Sequence, residues 1–198
     1  MLSSTQTRAL TTARCPLASV TVMGTSALPA AGADSYHGFV IDMDTRAPLA
    51  GAVVAVYWMR KPIISMDGPQ FFHRAVEALT DSAGRFSVDS RPGIDWNPFT
   101  YVMREPTYVI FKPGYGAFPS FRSLTRVRRE AVKEQGETFR AGQSVVIELP
   151  RLTTPEEMRE SASPEGYIFS DIQVHLPQYM RFINIQRGMV GLQPLAVE

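Results

Sequence analysis

The stretch Ala52-Val53-Val54-Ala55-Val56-Tyr57-Trp58-Met59 decides the fold, because it is apolar at every position. Successive side chains of a β-strand point to opposite faces, so both faces of a strand with this sequence are apolar. A strand of this kind belongs inside a sheet rather than at its edge. We therefore expect residues 52 to 59 to form a central strand.

Shorter β-rich runs lie on both sides of this stretch, each bounded by turn-forming residues. They occupy residues 38–42, 74–80, 85–89, 107–111 and 144–149. Asp81-Ser82-Ala83-Gly84 predicts a tight hairpin turn between two of them. Because no helical pattern alternates with the strands, the sequence predicts an all-β antiparallel sandwich over residues 36–150 rather than a parallel α/β sheet.

Beyond residue 150 the sequence pattern becomes helical. Thr154 followed by Pro155 and two glutamates predicts an N-capped helix to about Ser161. A second helix is expected over 177–190, with an apolar stripe. The stripe consists of Leu176, Met180, Ile183 and Val190. Since an isolated helix of this length is marginal in water, we expect the extension 151–198 to pack on the sandwich.

Taken in order, these runs resemble a carboxypeptidase regulatory-like domain, a relative of transthyretin (prealbumin). The matching residues are Gly38-Phe39-Val40-Ile41-Asp42, Thr45, Pro48-Leu49, Gly51-Ala52, Val54, Thr80-Asp81, Gly84-Arg85-Phe86 and Lys112-Pro113-Gly114-Tyr115. The resemblance implies a seven-stranded Greek-key sandwich that serves as a binding or accessory module, and it carries over no catalytic residue. Insertions at 60–72, 90–104 and 116–142 depart from the compact pattern.

The first 33 residues are typical of an export signal. They contain Arg8 and Arg14 but no acidic residue, followed by a mildly apolar stretch from Cys15 to Met23 and by small residues that include Ala31 and Ala33. We expect a signal peptide over 1–33 and a periplasmic or secreted mature chain. A disordered N-terminal tail is the alternative. The resulting division is 1–33 signal, 34–150 sandwich and 151–198 helical extension.

Charge and cysteine content exclude several classes of partner and site. Twenty basic and nineteen acidic residues give a net charge of +1, so no excess charge points to nucleic acid or to an anionic membrane. The one cysteine, Cys15, cannot form an internal disulfide and lies within the expected signal. We expect no transmembrane segment in the mature chain, since no run of about 18 apolar residues is present.

Metal binding is not indicated by the acidic residues or histidines. Asp42, Asp44 and Asp81 have a residue type that suits calcium, but they lack the spacing of a calcium loop, and turn formation explains them better. The three histidines lack zinc-site spacing. They are His37, His73 and His175.

Catalysis is not indicated either. Serines such as Ser87 and Ser120 lie outside any Gly-x-Ser-x-Gly turn, and phosphate loops and dinucleotide fingerprints are absent. The sequence predicts no catalytic residue, no cofactor and no enzyme activity. A hydrolase whose site is assembled from loops is the least favoured hypothesis.

Aromatic residues in the insertions are the candidate ligand-binding residues. They are Trp96, Phe99, Tyr101, Tyr115 and Phe118. Exposed rings could stack on sugars or contact a protein. Alternatively, with Phe121 they form a satellite cluster that buries the insertions against the sandwich.

One basic cluster, at Arg122, Arg126, Arg128, Arg129 and Lys133, is interspersed with glutamates, which favours a mixed-charge exposed helix or loop over a nucleic-acid surface. The resulting hypothesis is a non-catalytic exported module, accessory or adhesion-type, that binds a protein or glycan at the cell envelope. A carbohydrate-binding module proper is the alternative.

Overall fold

A computed structural model describes residues 35–64, 68–133 and 140–196. The expected signal peptide at 1–33 lies outside these residues. The strands are β1 (Ser35–Asp42), β2 (Val53–Pro62), β3 (Phe71–Leu79), β4 (Arg85–Asp89), β5 (Thr100–Val102), β6 (Thr107–Phe111) and β7 (Ser144–Leu149). The helices are α1 (Arg126–Lys133), α2 (Pro155–Glu160), α3 (Ser170–Gln173) and α4 (Pro177–Met189).

The strands form two sheets, which confirms the prediction of a predominantly β fold. Sheet A has the order β4-β1-β7. In sheet B, β2 pairs with β3 along one edge and with both β5 and β6 along the other. The expected central strand is thus central, and it extends beyond the predicted end to Pro62.

One pair of strands differs from the expected antiparallel arrangement. β1 and β7 run parallel, with His37 opposite Ser144 and Asp42 opposite Leu149. A parallel pair needs a long connection between its strands. The chain supplies one by passing through β4 and all of sheet B before it returns as β7.

The hydrophobic core lies between the two sheets. Val54, Val56 and Trp58 of β2 are completely buried there together with inward residues of sheet A. The sheet A residues are Val40, Phe86, Val88, Val145 and Ile147. This packing accounts for one of the two apolar faces of β2.

The other face of β2 is buried under the C-terminal helices. Val53, Ala55 and Tyr57 form a second cluster with β6 and with residues of α3, α4 and the segments that precede them. The helical contribution comes from Ile168, Ile172, Leu176, Tyr179, Met180 and Ile183. Each buried side chain of this size contributes roughly 1.5–3 kcal/mol to folding. The C-terminal extension therefore covers sheet B.

Helix α4 is attached to sheet B through a carboxylate of the neighbouring strand. Its N-cap residue, Leu176, offers no capping side chain. Glu77 of β3 replaces it, accepting hydrogen bonds from the backbone N–H groups of Gln178 (2.9 Å) and Tyr179 (2.7 Å). A negative charge at this position also complements the helix dipole.

Helix α2 begins as the sequence predicts. The Thr154 hydroxyl accepts a hydrogen bond from the Glu157 N–H at 3.1 Å, and Pro155 occupies the first turn. None of the helices within the described residues is long and apolar enough to cross a membrane.

The predicted aspartate turns are formed by side-chain hydrogen bonds to the backbone. Asp81 Oδ1 accepts from the N–H groups of Ala83 (2.9 Å) and Arg85 (2.8 Å) in the β3–β4 turn. The predicted tight turn is therefore present, but the prediction that it closes a hairpin is wrong, because β3 belongs to sheet B and β4 to sheet A and the turn connects the two sheets. Asp42 Oδ1 accepts from those of Asp44 (3.0 Å) and Thr45 (2.9 Å). Across the described part of the chain, three or more metal-ligating side chains do not converge anywhere.

Candidate functional site

Two of the inserted segments meet at one end of the molecule and expose a group of large apolar side chains. The backbone N–H of Ile63, just after β2, donates to the carbonyl of Phe99 at 2.9 Å, and Pro62 pairs with Thr100 of β5. We call this surface the apolar tip. It consists of Pro62, Ile63, Ile64, Pro98 and Phe99, which line one cleft, together with the exposed Ile94 and Trp96 of the second insertion.

The side chains of the apolar tip face solvent. Ile64 is 95% exposed, Trp96 86% and Phe99 76%, and Ile63 and Ile94 are also mostly exposed. Single exposed apolar residues are ordinary, but a contiguous group on a protein surface marks an interaction site. Burying one of these side chains against a partner would contribute roughly 1.5–3 kcal/mol to the free energy of binding.

An acidic side chain organises the loop that presents the two exposed rings. Asp95 accepts hydrogen bonds from the Asn97 N–H at 3.0 Å and from the Thr100 hydroxyl at 2.5 Å. Asn97 in turn accepts one from the Phe99 N–H at 3.0 Å. Aspartate and asparagine side chains form turns of this kind with the backbone two residues ahead. The loop is therefore preorganised with Trp96 and Phe99 facing outward.

The same carboxylate is paired with a strand residue. Arg60 of β2 lies 3.7 Å from Asp95, nitrogen to oxygen, behind the apolar tip. The Thr100 hydroxyl and the Asn97 N–H hold the pKa of Asp95 below its usual range, and the charge of Arg60 acts in the same direction. Asp95 therefore stays ionised to a lower pH than an ordinary aspartate.

A shallow cleft of about 450 Å³ opens between the two insertions. Its described walls are apolar apart from Thr100. They are formed by Pro62, Ile63, Ile64, Pro98, Phe99 and Thr100. A cleft with this lining offers contact and desolvation but few hydrogen-bonding groups, which suits binding rather than acid–base chemistry.

The structure divides the aromatic residues that the sequence singles out. Trp96 and Phe99 belong to the apolar tip, and Tyr101 of β5 is 42% exposed beside it. Tyr115 and Phe118, each only 8% exposed, are part of the core. Burial removes Tyr115 and Phe118 from any surface that a ligand reaches in this structure.

The buried aromatics join the core between the sheets together with Phe121 and do not form a separate satellite cluster. The Phe118 ring lies 5.9 Å from that of Tyr108 and 5.8 Å from that of Phe121, measured between centroids. The backbone of Phe118 also pairs with Ile110 of β6. The third insertion is therefore attached to the edge of sheet B, whereas the first two project from it.

The buried end of Tyr115 joins a polar network beneath the β1 turn. Its hydroxyl donates to Asp42 Oδ2 at 2.9 Å, and Arg151 Nε donates to the same oxygen at 2.6 Å. Burial opposes ionisation of Asp42, but hydrogen bonds from the Thr45 backbone, Arg151 and Tyr115 outweigh it, and the pKa of Asp42 lies well below its usual range. This network joins the end of β1 to the segments that follow β6 and β7.

The aliphatic residues of the tip are not singled out by any motif. Pro62 and Gly68 predict a loop around Ile63 and Ile64, and Ile94 lies in an insertion without a motif. The available signal was an apolar Pro-Ile-Ile run inside a segment otherwise typical of turns. Their proximity to Trp96 and Phe99 depends on the pairing of β2 with β5, which no local pattern predicts.

Among the serines, Ser120 has the most suggestive environment. Its hydroxyl donates to the buried Glu165 carboxylate at 2.5 Å, and Arg122 lies 3.4 Å from the other oxygen. Burial raises the pKa of Glu165, although Ser120 and Arg122 oppose the shift. The Arg122 N–H donates to Ser120 itself at 3.3 Å, and Phe121 N–H to the Ala117 carbonyl at 2.8 Å. Both neighbouring donors are thus engaged within the protein, as in a structural link between the third insertion and the C-terminal extension.

The three histidines lie in different parts of the fold. His37 lies in sheet A and His73 in sheet B, while the His175 ring stacks on Phe72 at 3.8 Å.

In the basic cluster, Arg128 pairs with the buried Glu157 at 2.5 Å, and Arg126 pairs with Glu130 at 2.9 Å. The members of the cluster from Arg126 onward therefore lie on a mixed-charge helix, α1, whereas Arg122 precedes it and pairs with Glu160 and Glu165.

Comparison of this chain with protein-family models, with curated proteins and with solved structures yields no match.

Proposed function

We propose that this protein is a non-catalytic exported module, accessory or adhesion-type, that docks at the cell envelope through its apolar tip. The observation that carries this proposal is the joint construction of the tip by two insertions, which hold Ile64, Trp96 and Phe99 in solvent. If the insertions only connected strands, we would expect their large apolar side chains to be buried or replaced by polar ones.

The finer description of the fold is part of the proposal. Seven strands in two sheets, the tight Asp81–Gly84 turn between the sheets and an apolar central strand are consistent with a transthyretin-like Greek-key sandwich of the carboxypeptidase regulatory-like kind. Modules of this type are scaffolds for loops. The two projecting insertions are, in this proposal, the functional addition to the scaffold.

Export and a periplasmic or secreted location are proposed from residues 1–33 alone. The two arginines, the mildly apolar stretch and the small residues ending at Ala33 support them. Protein or glycan at the envelope is accordingly the expected partner.

The composition of the apolar tip favours a partner with an apolar surface over a glycan. A sugar-binding platform combines aromatic faces with polar groups that bind hydroxyls. In this loop both Asp95 oxygens and the Asn97 Oδ1 already accept hydrogen bonds from the loop itself. Ile63, Ile64 and Ile94 add aliphatic surface without a flat face for stacking.

The test compares binding to cell-envelope preparations with binding to insoluble polysaccharides. The full-length chain is measured beside Ile64→Asp in the tip and Val127→Asp on α1, which changes a similarly exposed aliphatic residue. We expect binding to the envelope preparation that Ile64→Asp abolishes and Val127→Asp retains. Equal binding of both variants would refute the proposed role of the tip.

The polysaccharide arm addresses the alternative function. A carbohydrate-binding module would be retained on polysaccharide and would lose that retention in Trp96→Ala. We expect no retention of either protein. Retention of the wild type that depends on Trp96 would replace the proposal by the carbohydrate-binding alternative.

A further inference from the structure

Residues 192–196, which we call the C-terminal strap, fold back beside helix α4. The helix ends at Met189, and Gly191 has the left-handed conformation (φ 71°) that commonly turns a chain away after a helix. The N–H of Leu192 then donates to the carbonyl of Arg187 at 2.9 Å. The strap therefore starts at the C-terminal end of α4.

Side chains of α4 bind the backbone of the strap. Asn184 donates to the Leu195 carbonyl at 3.2 Å and accepts from the Leu195 N–H at 2.8 Å, as a neighbouring strand would. Arg187 Nε donates to the Gln193 carbonyl at 2.5 Å. From Gln193 to Leu195 the strap thus moves from Arg187 to Asn184, which means that it runs antiparallel to α4.

Ahead of the strap, α4 carries an open groove of about 530 Å³. Its described lining is largely apolar and consists of Pro177, Met180, Arg181, Asn184 and Ile185. Residues three or four positions apart share one face of a helix, so Pro177, Met180 and Asn184 form one stripe. Since Asn184 both binds Leu195 and lines the groove, the strap ends where the groove begins.

Two residues, Val197 and Glu198, follow the strap in the sequence. Two residues of extended chain reach about 7 Å. The helical turn before Asn184, which holds Met180 and Arg181, lies only about 5 Å away along the helix axis. The chain connection therefore keeps Val197 and Glu198 within reach of the groove, whereas a separate molecule would lose its translational freedom on binding there.

The orientation of the strap indicates which of the two side chains would face the groove. Successive side chains of an extended chain point in opposite directions. Leu195 packs against the apolar cluster beneath the helices, and Ala196 is exposed. If the alternation continues, Val197 points towards α4 and Glu198 points towards solvent.

The lining of the groove matches these two side chains. Met180 is buried and Ile185 is 44% exposed, and both offer apolar contact to a valine. Arg181 is exposed, and none of the ion pairs in the described part of the chain includes it. A carboxylate on the solvent side of the groove can therefore pair with Arg181.

We infer that the groove on α4 is an intramolecular peptide-binding site for the residues that follow the strap. Val197 occupies the groove against Met180, and the Glu198 carboxylate pairs with Arg181. The strap is thereby fastened along most of α4 and helps to hold the C-terminal extension on sheet B. This inference goes beyond the proposed function and does not depend on the apolar tip.

Amide hydrogen exchange at Leu195 tests the inference, because Asn184 binds this N–H only while the strap is docked. It is measured by NMR for the full-length chain, for Val197→Asp and for the matched control Ala196→Asp, which places the same charge at an exposed position. We expect exchange about tenfold faster in Val197→Asp, since an apolar contact is lost, and nearly unchanged in the control. Equal exchange in the two variants would overturn the inference.

The ion pair is tested by exchanging its charges. Arg181→Glu and Glu198→Arg should each accelerate exchange at Leu195 by roughly threefold, the scale expected for an exposed ion pair, and the double variant should restore the wild-type rate. The differences should disappear at a salt concentration of about 1 M, where charges are screened within about 3 Å. Acceleration by Arg181→Glu that Glu198→Arg does not reverse would rule out the pair.

A direct measurement on the unmodified chain does not depend on how the variants fold. We expect a nuclear Overhauser effect between the methyl groups of Val197 and Met180 in the full-length protein. If the Leu195 amide is protected but this effect is missing, the strap is docked and Val197 lies outside the groove, which would overturn the inference.

Discussion

The backbone N–H of Ile63 donates to the carbonyl of Phe99, joining two insertions that are separated in sequence by β3 and β4. This bond lies at the base of the apolar tip and continues the pairing of β2 with β5. The tip is thus an extension of sheet B rather than a pair of independent loops. The pairing of β2 with β5 therefore fixes the position of the exposed residues.

Asp95→Ala should loosen the tip without unfolding the domain. The substitution removes the acceptor for both Asn97 N–H and the Thr100 hydroxyl. We expect faster amide hydrogen exchange at Asn97 and Thr100 and weaker binding through the tip, while far-UV circular dichroism still shows a folded domain, because both hydrogen bonds lie within the loop. Asp95→Asn, which retains one acceptor, is the control and should exchange at an intermediate rate.

The order of this loop should also depend on pH. The pKa of Asp95 is lowered in the folded protein, so its contribution is complete above the ordinary carboxyl pKa of about 3.9 and is lost as the pH falls through the lowered value. Amide exchange at Asn97, corrected for its intrinsic pH dependence, measures this. An increase on acidification that Asp95→Ala shares would contradict the assignment.

The two tryptophans should respond oppositely to truncation. Trp58→Ala removes a fully buried ring from the core between the sheets and should reduce the unfolding free energy by about 3–5 kcal/mol. Trp96→Ala removes an exposed ring and should change it by less than about 0.5 kcal/mol. Denaturant unfolding followed by far-UV circular dichroism compares them. A large destabilisation by Trp96→Ala would mean that the tip has a structural role.

The stability of the protein should depend on which residue replaces Glu77 at the N-terminus of α4. Glu77→Ala leaves the N–H groups of Gln178 and Tyr179 without an acceptor, whereas Glu77→Gln keeps one acceptor oxygen. We expect Glu77→Ala to be less stable than Glu77→Gln by about 1 kcal/mol, the usual magnitude for loss of a helix cap. Equal stability of the two variants would show that the cap contributes nothing.

Burial raises the pKa of Glu77 above its usual range, although the two helix N–H groups oppose the shift. A carboxyl with a raised folded pKa favours the native state most when it is protonated. The wild type should therefore lose stability as the pH rises from the ordinary carboxyl pKa of about 4.3 through the raised value. Glu77→Gln should lack this component, and chemical denaturation at several pH values compares the two.

The network around Asp42 should show a graded loss of stability. Tyr115→Phe removes one hydrogen bond and should cost about 1 kcal/mol, whereas Asp42→Ala also leaves Arg151 and two backbone N–H groups without their acceptor and should cost about 2 kcal/mol or more. Because the pKa of Asp42 is lowered on folding, its contribution is lost only as the pH falls through that low value. Variants of equal stability would argue against the network.

Removal of the C-terminal helices should prevent folding to a soluble monomer. A chain that ends at residue 153 exposes the outer face of sheet B, including Val53, Tyr57 and Phe111. An uncovered apolar sheet face of this size favours aggregation. Gel filtration and binding of a hydrophobic dye measure the outcome. A folded monomer with the stability of the full chain would show that the extension is an independent addition.

The strands and their turns were predictable because their causes are local. Continuous apolar residues determine β2, and Asp81 with Gly84 determines the tight turn between β3 and β4. That this turn leads from sheet B to sheet A instead of closing a hairpin has no local cause in the sequence. The N-cap at Thr154 is equally local. The short β5 was not predictable, since its three residues are a strand only by pairing with the end of β2.

The exposure of the aromatic residues in the insertions does not follow from their local sequence. Trp96 and Phe118 both occur among proline-rich insertions, yet one is exposed and the other buried. The difference arises because Phe118 pairs with Ile110 at the edge of sheet B, while the Trp96 loop is held outward by Asp95. Long-range pairing therefore selects which aromatics are accessible.

By itself the sequence determined that the chain is predominantly β, that residues 52–59 are central and that helices follow the last strand, because hydrophobic periodicity and capping act within a few residues. Only the tertiary structure decided what covers the second face of β2 and which side chains form the apolar tip. Both depend on contacts between segments far apart in the chain. Such contacts follow from how complete surfaces fit together, and that fit is not encoded in any single stretch of residues.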